Sequence, residues 1–273
     1  MSRIAARFSA LRAEGRGAFI PFLEAFDPDR ATSQAILDGM PAAGADMIEI
    51  GMPFSDPMAD GPIIQEAGQR ALKAGATLAG VLAMVRAFRT HDAATPVILM
   101  GYLNPILAYG PRRFCADAAD GGVDGLIVVD LPPEEADLLA PHAEAQGIDI
   151  IRLIAPTTDD RRLPRVLAGA GGFIYYVAIV GVTGTRSAAA ADLAEAIPRL
   201  RHATDLPIAI GFGIKTPEQA AEAVRLADAA VVASALIETL AETLIGGQAG
   251  PDTVTRVLAQ IRAIAAAVRR ARA

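Results

Sequence analysis

Eight short apolar runs, each followed by a loop and an Ala-rich amphipathic stretch, divide this chain from end to end. The runs are Phe19–Leu23, Met47–Ile50, Val97–Met100, Gly125–Val129, Ile148–Leu153, Phe173–Val177, Ile208–Gly211 and Ala230–Val232. The helical stretches are Arg30–Ala42, Ile63–Ala74 with Leu78–Phe88, Arg112–Ala119, Glu134–Ala145, Asp160–Ala168, Asp192–Leu200, Pro217–Leu226 and Leu236–Thr243. Strands separated by helical crossovers pair in parallel, because each crossover returns the chain to the same end of the sheet. Eight such units predict an α/β fold, a (β/α)8 TIM barrel. Met1–Glu14 reads as an extra N-terminal helix over the barrel floor and Asp252–Arg269 as the closing helix. A doubly wound open sheet is the runner-up, but it needs a Gly-rich turn after the first strand, and Leu23-Glu-Ala-Phe-Asp27 is not one. No linker interrupts the pattern, so residues 1–273 are expected to form one domain. A weak repeat, Ala-Gly-Ala-Asp46, Gly-Gly-Val-Asp124 and Leu-Ala-Asp228, closes a helix and leads into the next strand.

Composition excludes several classes. A net charge of −6, with no Lys/Arg stripe, argues against nucleic-acid binding. Cys115 is the only cysteine, which rules out an intramolecular disulfide framework or a cysteine-rich zinc site, and its helical setting favours a packed residue over a nucleophile. Arg3, Arg7, Arg12 and Glu14 interrupt the first apolar stretches, and no run reaches the roughly 18 apolar residues of a membrane span. A cytoplasmic setting is expected.

Chemistry concentrates in Met47-Ile-Glu-Ile-Gly-Met-Pro-Phe-Ser-Asp-Pro-Met-Ala-Asp-Gly-Pro-Ile-Ile64. It begins as a buried strand carrying one carboxylate, Glu49, and continues as a rigid Pro- and Gly-rich loop that returns Asp56 and Asp60 toward the strand end. An unpaired ionised glutamate among apolar neighbours costs several kcal/mol, so Glu49 reads as an acid/base with a raised pKa. In a barrel the reacting groups stand just after the strands. Glu49, Asp60, Tyr102, Asp130, Thr157, Gly181 to Gly184, Gly211 to Gly213 and Ser234 all do so. Glycine-bearing or small-residue turns follow the last three strands: Val180-Gly-Val-Thr-Gly184, Gly211-Phe-Gly-Ile214 and Val232-Ala-Ser-Ala235. Their N–H groups and the helix starting near Ser234 suit a phosphate.

With these residues placed, the chain resembles the tryptophan synthase α subunit family from about Phe8 to Leu244. The most specific motif is Ile48-Glu-Ile-Gly-Met-Pro-Phe-Ser-Asp-Pro-Met-Ala-Asp-Gly-Pro62. It is joined by Met100-Gly-Tyr-Leu-Asn-Pro105, Asp124-Gly-Leu-Ile-Val-Val-Asp-Leu-Pro-Pro-Glu-Glu135, Ala155-Pro-Thr-Thr158, Phe173-Ile-Tyr-Tyr-Val177 and Ile210-Gly-Phe-Gly-Ile214. The resemblance implies retro-aldol cleavage of indole-3-glycerol phosphate to indole and glyceraldehyde 3-phosphate. It also implies an α2β2 complex in which indole passes to a β subunit that carries PLP, with no cofactor or metal in this chain. Glu49 matches the general acid/base, and Asp60 the carboxylate that binds the indole N–H. Phe22, Met100, Tyr102, Val129, Leu153, Tyr175 and Phe212 match the indole pocket. Gly184, Gly213 and Ser234, with Ala233 beside them, fall on the phosphate loops, and Thr183 on the loop that closes over the substrate.

The chain departs from the family after the first strand, where a small or hydroxyl residue and then Gly usually precede Asp-Pro; here Glu24 and Phe26 stand in the run Leu23-Glu24-Ala25-Phe26-Asp27-Pro28. Ala178 and Val180 replace the usual Ser and Thr, Ala233 replaces a Gly, and Lys215 offers a charge that could compensate. Asp56 reads equally as a turn former, Asp130 as a helix cap or a subunit contact, and His91, His142 and His202 as surface residues. The Pro53–Asp60 loop and the Asn104-Pro105 turn, rimmed by Phe54 and Ile106, are expected to face a β partner. A Mg²⁺ site on Glu49, Asp56 and Asp60 and a Schiff-base aldolase using Lys215 are the competing chemistries. A regulatory subunit without turnover and a stand-alone lyase are the competing roles.

Overall fold

The computed structural model describes residues 2–177, 186–211 and 213–272, with 186–192 followed by backbone alone. Nine strands form one parallel sheet: β1 (Ala18–Glu24), β2 (Ile48–Gly51), β3 (Val97–Gly101), β4 (Gly125–Val128), β5 (Asp149–Ile150), β6 (Arg152–Ile154), β7 (Ile174–Val177), β8 (Ile208–Gly211) and β9 (Ala229–Val232). Their order is β5-β4-β3-β2-β1-β9-β8-β7-β6. The fifth strand, expected as one run, is broken at Ile151 because it changes partner there. β5 pairs with β4 and β6 with β7, while the Ile151 N–H reaches the Leu126 carbonyl at 2.9 Å. The two halves are continuous in the chain, so the ring closes through them and the structure is the expected barrel.

Alternation decides what each strand buries. Ile20, Met47, Ile98, Ile127, Ile151, Phe173, Ala209 and Val231 fill the barrel interior, and Ile4, Phe8 and Leu11 of α1 (Arg3–Ala13) plug its floor. Phe19, Leu23, Ile48, Ile50, Leu99, Ile174 and Ile210 point outward into the layer between sheet and helices. That outer layer is formed by α2 (Arg30–Ala43), α3 (Pro62–Lys73), α4 (Leu78–Arg89), α5 (Leu103–Tyr109), α6 (Pro111–Gly121), α7 (Ala140–Glu144), α8 (Leu163–Leu167), α9 (Arg186–Ala203), α10 (Pro217–Leu226), α11 (Ser234–Glu242) and α12 (Thr253–Arg270). Thr216 opens α10 with a complete capping box shared with Gln219, and Pro217 follows at its first turn.

The repeated Asp has a structural job. Asp46, Asp124 and Asp228 each donate a backbone N–H to the carbonyl of a neighbouring strand residue, Phe19, Val97 and Ile208 respectively. Each carboxylate then accepts the N–H of that same residue, at 2.9, 2.8 and 2.9 Å. Arginines complete the clamps: Arg16 and Arg7 on Asp46, Arg89 and Arg3 on Asp124, Arg201 on Asp228.

Three helical expectations are corrected. Glu134–Ala145 is a 3-10 turn, Pro133–Leu138, followed by the short α7, because Leu139 leaves helical geometry at φ −135°. Asp160–Ala168 shrinks to α8, whose start is set by Pro164. Asn104-Pro105, expected as a turn, lies in the first turn of α5.

Candidate active site

Inward alternation on β1 and β2 places Phe22 and Glu49 directly opposite one another, with Glu24 facing Gly51 one pleat nearer the mouth. Glu49 is 1% exposed, and among the described residues neither carboxyl oxygen has a hydrogen-bond partner. Burial first, and then the charge of Asp60, push its pKa up to about 8. A carboxyl in that state is a proton donor at neutral pH and a base once it has donated.

Asp60 ends the loop that follows β2. The Tyr102 hydroxyl donates to its Oδ2 at 2.9 Å and accepts the Ala59 N–H at 3.0 Å. Burial raises the Asp60 pKa, and the Tyr102 hydrogen bond opposes that rise by favouring the ionised form. Phe54 packs on Tyr102 with ring centroids 5.3 Å apart and the rings tilted by 36°. Of the two carboxyls in this site, one is buried with no partner among the described residues and the other is held by a hydroxyl that favours its ionised form.

Around them the expected pocket residues converge. Met100, Val129, Leu153 and Tyr175 pack on the upper interior of the barrel, and Phe22, Met100 and Ala233 share a second cluster with Ala67 and Ile237. Burial, and then Glu49, hold the Tyr175 hydroxyl well above the usual tyrosine range. A Cβ on Gly211 would overlap the Tyr175 hydroxyl, so β8 needs glycine there. At the end where the sequence leads one to expect a phosphate, Gly213 adopts φ 74°, and α11 begins at Ser234 without a side-chain cap, leaving its first N–H groups pointing toward the mouth. Ala233 sits at φ −118°, a conformation open to any L-residue, so its Cβ does not force the turn out of shape. Thr183, Gly184 and Phe212, with Ala178 and Val180, lie outside the described residues.

Several expectations change. Lys215 is exposed and its ammonium meets Glu238 at 3.0 Å, so its charge is already matched; with Lys73 exposed on α3, neither lysine is desolvated as an aldolase would require. Among the described residues no group of three His, Cys, Asp or Glu is arranged to hold a metal ion. Ile106 is fully buried, and the large apolar side chains exposed on the segments that follow β2, β3 and β4 include Met58, Leu107 and Leu138, at 78%, 44% and 42% exposure. Asp130 accepts the Leu103 N–H at 2.8 Å and thereby serves the start of α5. Cys115 is buried and its thiol is pushed up to about 11 by burial, as expected of a packing residue. Sequence reasoning left one site residue unplaced: Glu24 is the last residue of β1 and lines a cavity of about 20 Å³ with Phe54, Asp60, Ile64, Met100 and Tyr102.

Comparison with known proteins agrees with this geometry. A sequence model of the tryptophan synthase alpha chain matches residues 8–269. The chain is 70% identical over 273 residues to the tryptophan synthase alpha chain of Gluconacetobacter diazotrophicus, covering 100% of both. It is 68% identical to that of Granulibacter bethesdensis, covering 100% of this chain and 98% of the relative. The fold superposes on the crystal structure of tryptophan synthase subunit alpha from Legionella pneumophila with a TM-score of 0.90, at 38% identity and 98% coverage of each chain. A chain of aminoacrylate-bound tryptophan synthase from M. tuberculosis superposes at 0.85, with 33% identity and coverage of 98% of this chain and 100% of that one. The barrel, the paired carboxylates at its mouth and these relatives agree, and the chain belongs to the tryptophan synthase alpha chain family.

Proposed function

We propose that this chain is the lyase that cleaves indole-3-glycerol phosphate by retro-aldol chemistry into indole and glyceraldehyde 3-phosphate, with Glu49 and Asp60 as its catalytic groups. The observation that carries the reading is the Glu49 carboxyl, buried, without a hydrogen-bond partner among the described residues and with its pKa raised to about 8. Breaking the bond between the ring and the glycerol chain requires a proton on indole C3, positive charge accepted by the ring, and a base for a glycerol hydroxyl. Glu49 supplies the proton to C3 and then takes the hydroxyl proton, so it ends as it began. Asp60 accepts the ring N–H and stabilises the cation while Tyr102 fixes one of its oxygens. Phe22, Met100, Val129, Leu153, Tyr175 and Phe212 enclose the ring. Thr183 closes over the substrate, and Gly184, Gly213, Ala233 and Ser234 hold the phosphate. No cofactor in this chain takes part in these steps.

The partner in this reading is a tryptophan synthase β subunit carrying PLP, in an α2β2 assembly that receives indole at the barrel mouth. The exposed Met58 and Leu107 suit such a docking rim. A cytoplasmic setting fits the single buried thiol, and among the described residues no single helix is long and apolar enough to cross a membrane. The test is indole release from indole-3-glycerol phosphate by the full chain, alone and with a β subunit. Release that rises when the β subunit is added is expected; no release in the complex would overturn the reading.

A further inference from the structure

Glu24 is a carboxyl that the reaction above does not use. It occupies the fourth inward position of β1, after Ala18, Ile20 and Phe22, and stands opposite Gly51. A Cβ on Gly51 would overlap Glu24 Oε2 and come within 2.6 Å of Phe22 Cζ, so the carboxyl lies in space that only glycine leaves open. On its other side is α3, where a Cβ added to Gly68 would stand 3.9 Å from Glu24 Oε1. Glu24 is 4% exposed, and among the described residues its carboxyl makes no hydrogen bond. It opens instead on the small cavity that it shares with Asp60 and Tyr102, which has room for about one water.

The surrounding charges decide its protonation state. Arg70, the cation nearest in effect, is engaged by both oxygens of Asp27 at 2.7 and 2.8 Å. Burial, then Asp60 and Asp27, hold Glu24 well above the usual carboxylate range, with Arg70 opposing them. Asp60 is the partner that ionises, because the Tyr102 hydroxyl already donates to it. Between the two, the proton belongs to Glu24.

We propose that Glu24 is a positioning residue for Asp60: a neutral carboxylic acid in the shared cavity that donates its hydroxyl to the Asp60 carboxylate as the loop settles over the bound ring. Asp60 would then be held from two sides, by Tyr102 at Oδ2 and by Glu24, and so presented to the ring N–H. The inference rests on the proposed role of Asp60. A side chain needed only for packing would serve equally well as an apolar group of the same length, and this contrast makes the idea testable.

The experiment uses the full chain with a β subunit and compares Glu24→Gln, whose amide keeps a donor, with Glu24→Met, which keeps the volume alone. In kcat/KM for indole release, Glu24→Gln should lose about threefold and Glu24→Met about 30-fold, the scale of a hydrogen bond to a charged group. Calorimetry with indole on the wild type, Glu24→Met, Asp60→Asn and the double variant forms a cycle. Glu24→Met should weaken indole binding by about tenfold when Asp60 is present and by less than twofold when it is Asn. Equal losses for Gln and Met, or losses that multiply in the double variant, would overturn the proposal. If Glu24→Met does not fold, Glu24→Ala takes its place in both comparisons. Absence of indole release from the wild type would count against the reaction assigned to the site, whereas the indole-binding cycle would still report on the coupling of Glu24 to Asp60.

Discussion

Tyr102 holds the Asp60 loop at two consecutive residues, donating to the Asp60 carboxylate and accepting from the Ala59 N–H. One hydroxyl thus sets both the direction of the carboxylate and the path of the backbone that carries it. Tyr102→Phe keeps the ring contact with Phe54 and removes both hydrogen bonds. Loss of a hydrogen bond to a charged group is worth about 1.5–3 kcal/mol, so kcat/KM for indole release should fall roughly 10- to 100-fold. Amide exchange at Ala59 should quicken in the same variant. Wild-type exchange together with wild-type turnover would show that the loop is held by other means.

Glu49→Gln should cost about 10² to 10⁴ in turnover, the usual scale for loss of a general acid/base. The same substitution should change how stability depends on pH. The folded pKa is raised to about 8 from the ordinary 4.5, so between those values the unfolded chain binds fewer protons at this site than the folded one. Stability from this group is therefore greatest below pH 4.5 and is lost as pH rises toward 8. The Gln variant lacks that loss, and its advantage should grow across the interval toward roughly 4–5 kcal/mol. Urea melts of both proteins at pH 5 and pH 8 measure it. A constant difference between them would mean that Glu49 is ionised in the folded protein.

Phe26 sits at φ 70°, in the left-handed region, and is buried at 5% exposure. The left-handed region costs an L-residue roughly 1–2 kcal/mol, and Gly does not incur that cost. Removing the ring costs more, about 3–5 kcal/mol. Both Phe26→Ala and Phe26→Gly should therefore destabilise the fold, and the Ala variant should be the worse by about 1 kcal/mol. Ala at or above Gly in stability would show that the turn relaxes once the ring is gone.

Asp124 accepts the Val97 N–H at 2.8 Å and pairs with Arg89 and Arg3 at the barrel floor. Asp124→Ala leaves the partly buried Arg89 guanidinium hydrogen-bonded only to the carbonyls of Gly122, Asp92 and Thr95 and should cost about 3 kcal/mol. The molecules that remain folded should still turn over at nearly the wild-type rate, because the reacting groups are at the other end of the strands. A lowered midpoint of thermal unfolding with preserved kcat is the expected pair of results; a large fall in kcat with unchanged stability would contradict it.

The barrel was legible because apolar runs such as Phe19–Leu23 alternate with amphipathic helical stretches such as Arg30–Ala42 along the whole chain, and because one unusual motif opened on the second strand. Other features depended on tertiary context. The break at Ile151 reflects a change of pairing partner, which no local pattern records. Ile106 was read as a rim residue because Asn104-Pro105 suggests a turn, yet Asp130 on the neighbouring loop supports a helix start there and turns Ile106 into the core. Glu24 was visible as a departure from the family, but its direction depends on β1 extending to it and on Gly51 lying opposite. The Ala for Gly change at 233 looked costly until its backbone angle showed that no glycine conformation is needed.

The three aspartate clamps divide this molecule's sequence into two kinds of freedom. Each one ties the start of a strand to its neighbour at two points, so the vertical offset of those strands is decided at the floor. The height at which Glu49 meets Phe22 is inherited from there, as the pitch of a string is set at its fixed end. Mutations in the mouth loops can then alter which molecule is received without shifting the groups that act on it. A family built this way can drift widely in its loops, and even admit a residue such as Glu24 beside its carboxylates, while the geometry of the reaction stays where it was.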